Sequence, residues 1–344
     1  MNLKELSQQL GLSQTTVSRA LNGYPEVAEE TRQRVQQAAT RYNYKPSTKA
    51  KGLATGKAFA IGHVIPTSSK NEMVNPIFGD FIAGAGETYA KAGYEMVLSV
   101  LEQDRDEATV YRGLKARNAV DGVVVHGPRV NDPRIAILTE LKIPFVVHGR
   151  SSGHALPYSW LDVNNRRAFR RATDFLHDLG HRRIGLINGL ESMDFAMRRR
   201  GGYEDALLAH DLPVDTRLMF SDEMTEDYGH RACSAMLSGE TPPTAVLCSS
   251  MISAIGVRRA IEERGLVMGH DVSVITYDDN LSYFRNGGDT PIFTATRSSI
   301  RDAGRRLAEM LLELISDPEI GPLQELLEVE LMVGQSTGPA PQKG

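Results

Sequence analysis

The sequence predicts an all-α helix-turn-helix head followed by an α/β body of two doubly wound parallel-sheet lobes. Three observations predict it. Leu3, Leu6 and Leu10 recur at helical spacing, and Val17, Ala20 and Leu21 do so again after Gly11. From Phe59 onward, four apolar runs alternate with helical stretches: AIGHVIP (60–66), EMVLSV (95–100), GVVVHG (122–127) and PFVVHG (144–149). A second series then begins with RRIGLING (182–189), AVLCSS (245–250) and VSVITYDD (272–279). A chain of 344 residues has room for about two or three domains.

The head comes first. Asn2 and Glu5 stand three apart, as a capping pair does, and open the first helix. Gly11 ends it, and Ser13 can cap the second. The second helix turns Gln14, Thr15, Ser18, Arg19 and Asn22 outward. These are hydrogen-bonding side chains without a negative charge. Gln can read adenine and Arg can read guanine bidentately, so the face suits a major groove. An ordinary helical hairpin would share the apolar pattern. A third apolar stripe, Val35, Ala38, Ala39 and Tyr42, can close a three-helix core.

Charge follows the same division. Residues 1–57 hold nine Lys and Arg against four acids, a net +5, while the whole chain carries −4 and the remaining 287 residues therefore −9. A basic head on an acidic body suits a duplex-binding module on a sensor. Hydrophobic residues make up 41% of the chain, enough for sizeable cores. No apolar run approaches the ~20 residues of a membrane span. Met1–Leu10 has no apolar signal core, and the two cysteines, Cys233 and Cys248, suit a reducing compartment. The expectation is a cytoplasmic protein, nucleoid-associated when bound to DNA, with no membrane partner.

In the body, expected helices lie at about 105–118, 132–141, 164–179, 197–209, 226–237 and 251–264. Another carries Phe78, Phe81, Ile82, Ala85 and Tyr89 on one face. His177 and His181 have the four-residue spacing of helical metal ligands, but Gly180 between them points to a helix end and a structural role. No glycine-rich phosphate loop and no nucleophile with an identifiable base is present, so neither an enzyme nor a cofactor is expected.

The series SQTTVSRALNG, VAEETRQRV and YNYKPSTKAKGLATG resembles the LacI/GalR family of bacterial transcriptional regulators, and the likeness extends over nearly the whole chain. It implies a DNA-binding head at 1–45 and a hinge-helix linker at 46–57, in which Lys49 sits on phosphate and Leu53 enters the minor groove. Gly52 lowers helix propensity there by ~1 kcal/mol relative to Ala. Ala28 stands where family members usually place a Ser or Thr cap. The resemblance further implies an effector-binding and dimerisation domain of periplasmic-binding-protein architecture at 58–338. Its N-lobe would be 58–160 and 292–320, and its C-lobe 161–291 and 321–338, followed by a tail at 339–344. The stretch after Gly334 is expected to be disordered. It lacks leucine heptads, so a homodimer is expected.

Because strand C-termini line the cleft of open α/β sheets, the effector residues are sought there. The resemblance carries the ligand role to Phe78 of NPIF, to Arg199, three residues before Gly202-Tyr203, and to Asp278 of the YDD run, with Asp279 as a structural partner. Arg198 and Arg200 are expected to be structural. Family polar anchors are replaced by Ser249-Ser250 and by Gly149. His148, Gly149, Met224, Ser249 and Ser298 complete the candidate pocket.

Ser13, Gln14, Thr15, Ser18, Arg19, Asn22, Lys49 and Leu53 form the candidate DNA-binding set. The expected function is a repressor of a carbohydrate-uptake or utilisation operon that binds a near-palindromic operator and is released by a small sugar. The opening MNLKELSQQLGLSQTTVSRALNGYPEV and GLATGKA look most like alpha-glucoside regulators of rhizobial bacteria. The alternatives are a regulator answering to a non-sugar metabolite such as a nucleobase and, from another class, a sugar-binding transport component. The basic head argues against the latter.

Overall fold

The computed structural model describes residues 1–44, 52, 55–66, 75–101 and 106–342. The chain forms two compact units, Met1–Phe59 and Ala60–Gly344.

The first unit holds three helices, α1 (Leu3–Leu10), α2 (Gln14–Leu21) and α3 (Glu29–Arg41), among its described residues. Asn2 and Glu5 form the reciprocal capping box, and Gly11 ends α1 in the left-handed region at φ +63°. The Ser13 hydroxyl accepts from the Thr16 N–H at 3.0 Å and so starts α2. At Ala28 no side chain caps α3. Acidic Glu29 and Glu30 in its first turn face the positive end of the helix dipole instead. Leu6, Leu10, Val17, Ala20, Val27, Val35 and Ala39 form the core. Tyr42, expected in that core, is exposed, and Tyr44 packs there in its place. Eight of the twelve linker residues 46–57, Lys49 and Leu53 among them, lie outside the described residues.

The second unit has two lobes. The first contains β1 (Ala60–Pro66), α4 (Pro76–Lys91), β2 (Glu95–Leu101), α5 (Glu107–Ala116), β3 (Gly122–His126), α6 (Pro133–Glu140), β4 (Phe145–His148) and β5 (Trp160–Val163). The second contains α7 (Asn165–Asp178), β6 (Ile184–Asn188), α8 (Asp194–Ala209), β7 (Met219–Ser221), α9 (Glu226–Leu237), β8 (Ala245–Cys248), α10 (Met251–Glu262), β9 (Ser273–Asp278) and β10 (Thr294–Arg297). The chain then returns through α11 (Ile300–Ser316) and β11 (Gln324–Leu327) to the first lobe, and through β12 (Glu330–Met332) to the second. The sheet orders are β11-β5-β4-β3-β1-β2 and β12-β10-β9-β8-β6-β7. Pairing is parallel except for β12 on β10.

These pairings move the expected lobe boundaries. β5 belongs to the first sheet although residue 161 was expected to open the C-lobe, because Trp160–Val163 lies between β4 and β11. β10 pairs with β9 in the second sheet, so the return to the first lobe starts at α11 and not at residue 292. β11 likewise stays in the first sheet. Both strands are too polar to stand out as buried runs. The segment after Gly334 is not disordered as far as it is described. Ser336 is fully buried, and its hydroxyl accepts from the Thr294 N–H at 2.8 Å and donates to the Val274 carbonyl. Farther on, the Ala340 N–H donates to the Leu179 carbonyl at 2.8 Å.

The strand period of two distributes the second core over both sheet faces. Val246, Cys248 and Val274 pack with α9 and α10, whereas Leu186, Leu247, Ile275 and Tyr277 pack with α7 and α8. The α7–α8 pair depends on Gly202. A Cβ there would lie 2.0 Å from the Arg166 carbonyl oxygen, so no side chain fits without separating the helices. Gly202→Ala is therefore expected to destabilise the protein by about 1–3 kcal/mol, as overpacking does. Denaturant unfolding measures it, and an unchanged midpoint would show that the helices have room to part.

Candidate functional site

Two surfaces carry functional chemistry. On the head, α2 presents Gln14, Thr15, Arg19 and Asn22 to solvent. No hydrogen bond engages the Gln14 or Thr15 side chain among the described residues. Arg19 stands 3.8 Å from Glu26, with both side chains about half exposed. Such a pair is weak and is readily exchanged for a phosphate or a base. Ser13 is committed to its cap, and the Asn22 amide donates to the Ser18 carbonyl at 2.8 Å. The other ordered arginines shape the head: Arg34 donates to the Leu10 carbonyl, and Arg32 to those of Tyr24 and Val27.

The second surface is the cleft between the lobes, a cavity of about 400 Å³, within the usual range for small-molecule sites. Phe78, His126, His148, Gly149 and Asp162 line it from the first lobe. Asn165, Phe195, Arg199, Met224, Ser249, Tyr277, Asp279 and Ser298 line it from the second. Of the expected effector residues, Phe78, Arg199, His148, Gly149, Met224, Ser249 and Ser298 come together along this cavity. Phe78 stands apart from the core Phe81 of the same helix and meets the His126 ring edge-on at 5.2 Å.

Asp278 is the exception. Strand alternation places it on the opposite side from Tyr277, and Tyr277 and Asp279 are the ones that reach the cleft. The Asp278 carboxylate accepts from the Asn280 N–H at 2.8 Å and stands 3.7 Å from Arg297. Asp279, expected as the structural partner, is thus the aspartate that lines the cavity, and Asp278 does not.

Arg199 is held from several sides. Its Nε donates to Asn165 Oδ1 at 2.8 Å, and Nη1 to the Ser249 carbonyl at 2.7 Å. The guanidinium lies 4.1 Å from the Tyr277 ring centre and 4.9 Å from that of Phe195. Only 6% of the residue is exposed. Burial lowers its pKa, against the charges of Asp279 and Asp162. Tyr277 is a further side-chain hydrogen-bond partner of the guanidinium. Arg198 and Arg200 are structural as expected: Arg198 holds Asp194 and Ser152, and Arg200 holds Glu191 and Glu204. Ser250 caps α10, while the Ser249 hydroxyl donates to Asn188 Oδ1 at 2.7 Å. Tyr277 and Ser298 share a hydrogen bond of 2.6 Å.

Asn165, Asp162, Phe195 and His126 were missed. His126 had a visible signal, because the tetrapeptide VVHG occurs at the ends of both β3 and β4 and only its second copy was singled out. Asp162 accepts from Arg150 at 2.7 Å. The Arg150 that follows Gly149 therefore faces a carboxylate and the Trp160 ring, 4.9 Å away. His181 is a structural residue: its ring bonds Thr244, Ser273 and the Gly338 carbonyl.

A helical reading head and a hinged, polar, aromatic-walled cleft define a ligand-responsive DNA-binding protein. Residues 2–47 match the family described as bacterial regulatory proteins, lacI family, and residues 173–337 match the periplasmic binding protein-like domain. The HTH-type transcriptional regulator AglR of Rhizobium meliloti (strain 1021) is 46% identical over 343 residues, covering 100% of this chain and 96% of AglR. The HTH-type transcriptional regulator RafR of Escherichia coli is 31% identical, covering 94% of this chain and 95% of RafR. Among solved structures, a transcriptional regulator CelR–cellobiose complex aligns at TM-score 0.72 and 28% identity, over 98% of this chain and 99% of that one. The lac repressor dimer bound to operator shares the fold at TM-score 0.82 and 24% identity, over 98% and 99% of the two chains. The chain belongs to the LacI family of bacterial transcriptional regulators, and its function is DNA binding and regulation, not catalysis.

Asp279 yields a prediction with a definite sign. Burial pushes its pKa up to about 7, helped by Asp278 and opposed by Arg199. The unfolded side chain titrates near ~3.9. The folded protein therefore holds a proton that the unfolded chain has already lost, and that contribution to stability fades as pH rises toward about 7. His63, His126 and His148 act in the opposite sense. Burial lowers all three, so their contribution is lost as pH falls below ~6.5. Asp279→Asn isolates the first effect. Its Tm relative to wild type, in the absence of ligand, should rise from pH 5 to pH 8. A constant difference would place the Asp279 carboxyl in water.

Proposed function

We propose that this chain is a cytoplasmic repressor that binds a near-palindromic operator as a homodimer and releases it when a sugar occupies the cleft. The observation that carries the reading is Arg199, held by Asn165 and Ser249 at the wall of the cavity that Asp279 also lines. A guanidinium donating to one hydroxyl oxygen and a carboxylate accepting from the next is a chemistry suited to vicinal diols. The Phe78 and Phe195 rings offer apolar walls for the C–H face of a pyranose. The cavity has room for more than one hexose ring, and the relative solved with cellobiose supports a disaccharide. An alpha-glucoside such as trehalose, maltose or sucrose is the first candidate.

On the DNA, Gln14 and Thr15 read base edges, and Arg19 reads a base or grips phosphate. Lys49 and Leu53 take the linker's phosphate and minor-groove contacts. A ligand that bridges the two lobes favours their closed arrangement. It weakens DNA binding by its differential affinity for the two states, typically about 1–3 kcal/mol.

Fluorescence anisotropy on the palindromic duplex from the chain's own upstream region, at fixed salt, tests the reading. One alpha-glucoside of a panel should release the duplex, and Arg199→Ala should keep duplex affinity while losing that response. Gln14→Ala should lose about tenfold or more in specific affinity, since a good bidentate base contact is worth about 1–3 kcal/mol. Loss of duplex binding in Arg199→Ala would remove that residue from the effector site. Binding that no sugar changes would point to a non-sugar metabolite.

A further inference from the structure

Beneath the first-lobe wall of the cleft lies a pair of histidines whose protons are interlocked. His63 on β1 is fully buried, and its Nδ1 stands 2.9 Å from Nε2 of His126 at the end of β3. The rings stack at 5.1 Å. His126 lines the cavity, in register with His148 on β4, which lines it too. Burial keeps His63 and His126 neutral at ordinary pH. Each ring then carries one proton, and the hydrogen bond between them needs one donor and one acceptor.

Only two arrangements satisfy this. Either both rings carry the proton on Nδ1, or both carry it on Nε2. The choice falls at the far end of the pair, where His63 Nε2 is buried with no hydrogen-bond partner. A buried orphan N–H is rarer in folded proteins than an under-used acceptor. The Tyr89 ring packs edge-on against His63 at 5.8 Å, and its buried hydroxyl also lacks a partner. The two groups do not bond each other, and the unpartnered Nε2 is less costly left bare than left carrying an orphan proton, so the pair takes the Nδ1 arrangement.

We propose that His63 is a positioning residue that fixes the tautomer of His126, so that His126 presents an Nδ1–H donor to the ligand and not an acceptor. The ligand group there is an acceptor oxygen: a ring or glycosidic oxygen, or a hydroxyl that donates elsewhere. With Asp279 accepting on the opposite lobe, the cleft reads hydrogen-bond polarity from both sides. The ligand half of this inference rests on the sugar reading above. The tautomer half does not.

Ring nitrogen spectra of the full-length protein labelled with ¹⁵N-histidine, without ligand, test it directly. Both His63 and His126 should be neutral and protonated on Nδ1 at pH 7.5. His63→Asn places an amide donor where Nδ1 was and should preserve the His126 tautomer. His63→Leu removes the donor and should let His126 move to Nε2–H. Wild-type His126 protonated on Nε2 would overturn the proposal, and that spectrum needs no variant to fold. The ligand half is read with maltose and its deoxy and deoxyfluoro analogues, since fluorine accepts but never donates. At the hydroxyl that meets His126, the deoxy sugar should lose about tenfold in affinity, as for one lost hydrogen bond, and the deoxyfluoro sugar distinctly less. Equal losses at every position would overturn the donor assignment. Failure of maltose, trehalose and sucrose alike to bind would count against the alpha-glucoside reading and leave the spectral result standing.

Discussion

Burial of the Arg199 guanidinium is the constraint on which the cleft depends. A cation in this position is costly unless its protons are used and opposite charge is near. Asn165 and the Ser249 carbonyl take two of its donors, the Tyr277 and Phe195 faces cover it, and Asp279 and Asp162 supply the counter-charge. These partners come from α7, β5 and the ends of β8 and β9, so the arginine draws the carboxyl ends of several strands into one place. Burial raises the pKa of the neighbouring Asp279 carboxyl against the opposing charge of Arg199.

The close helix pairs make such a site responsive. Gly84 on α4 lies against the Arg301 backbone of α11, and Gly202 on α8 lies against that of Arg166 on α7. In each lobe two helices therefore pack backbone to backbone. The chain crosses between lobes near residues 163, 298 and 328. Asp162 and Ser298, next to two of these crossings, line the cavity. Cavity wall and interlobe crossings are thus the same stretches of chain.

Much of this was legible in the sequence, for physical reasons that differ by element. The head was legible because its caps and turn are local: Asn2, Glu5, Gly11 and Ser13 act within four residues of themselves. The central strands were legible because burial on both faces demands continuous apolar runs. Trp160–Val163 and Thr294–Arg297 were not, because they are short and carry polar residues at the cleft and the crossings. The segment after Gly334 was not legible because its order rests on hydrogen bonds of its backbone and of the Ser336 and Thr337 hydroxyls to distant residues, which composition does not record. Linker contacts carried by Lys49 and Leu53 depend on the family resemblance alone.

That Asp279 and not Asp278 lines the cavity shows what motif matching leaves out. A motif supplies a residue type near a position, but a strand assigns faces by parity. Once Tyr277 packs with Ile275 toward α7 and α8, Asp279 shares its side and Asp278 cannot. The carboxylate that lines the cavity is then the one without an ion pair to Arg297, which stands opposite Asp278 in the β9–β10 register and serves it. The cleft consequently sets a poorly compensated acceptor on one lobe against a ring of fixed tautomer on the other. A ligand that satisfies both must change hydrogen-bond polarity along its length, as a sugar does between its hydroxyls and its acetal oxygens and as a uniformly donating or accepting metabolite does not.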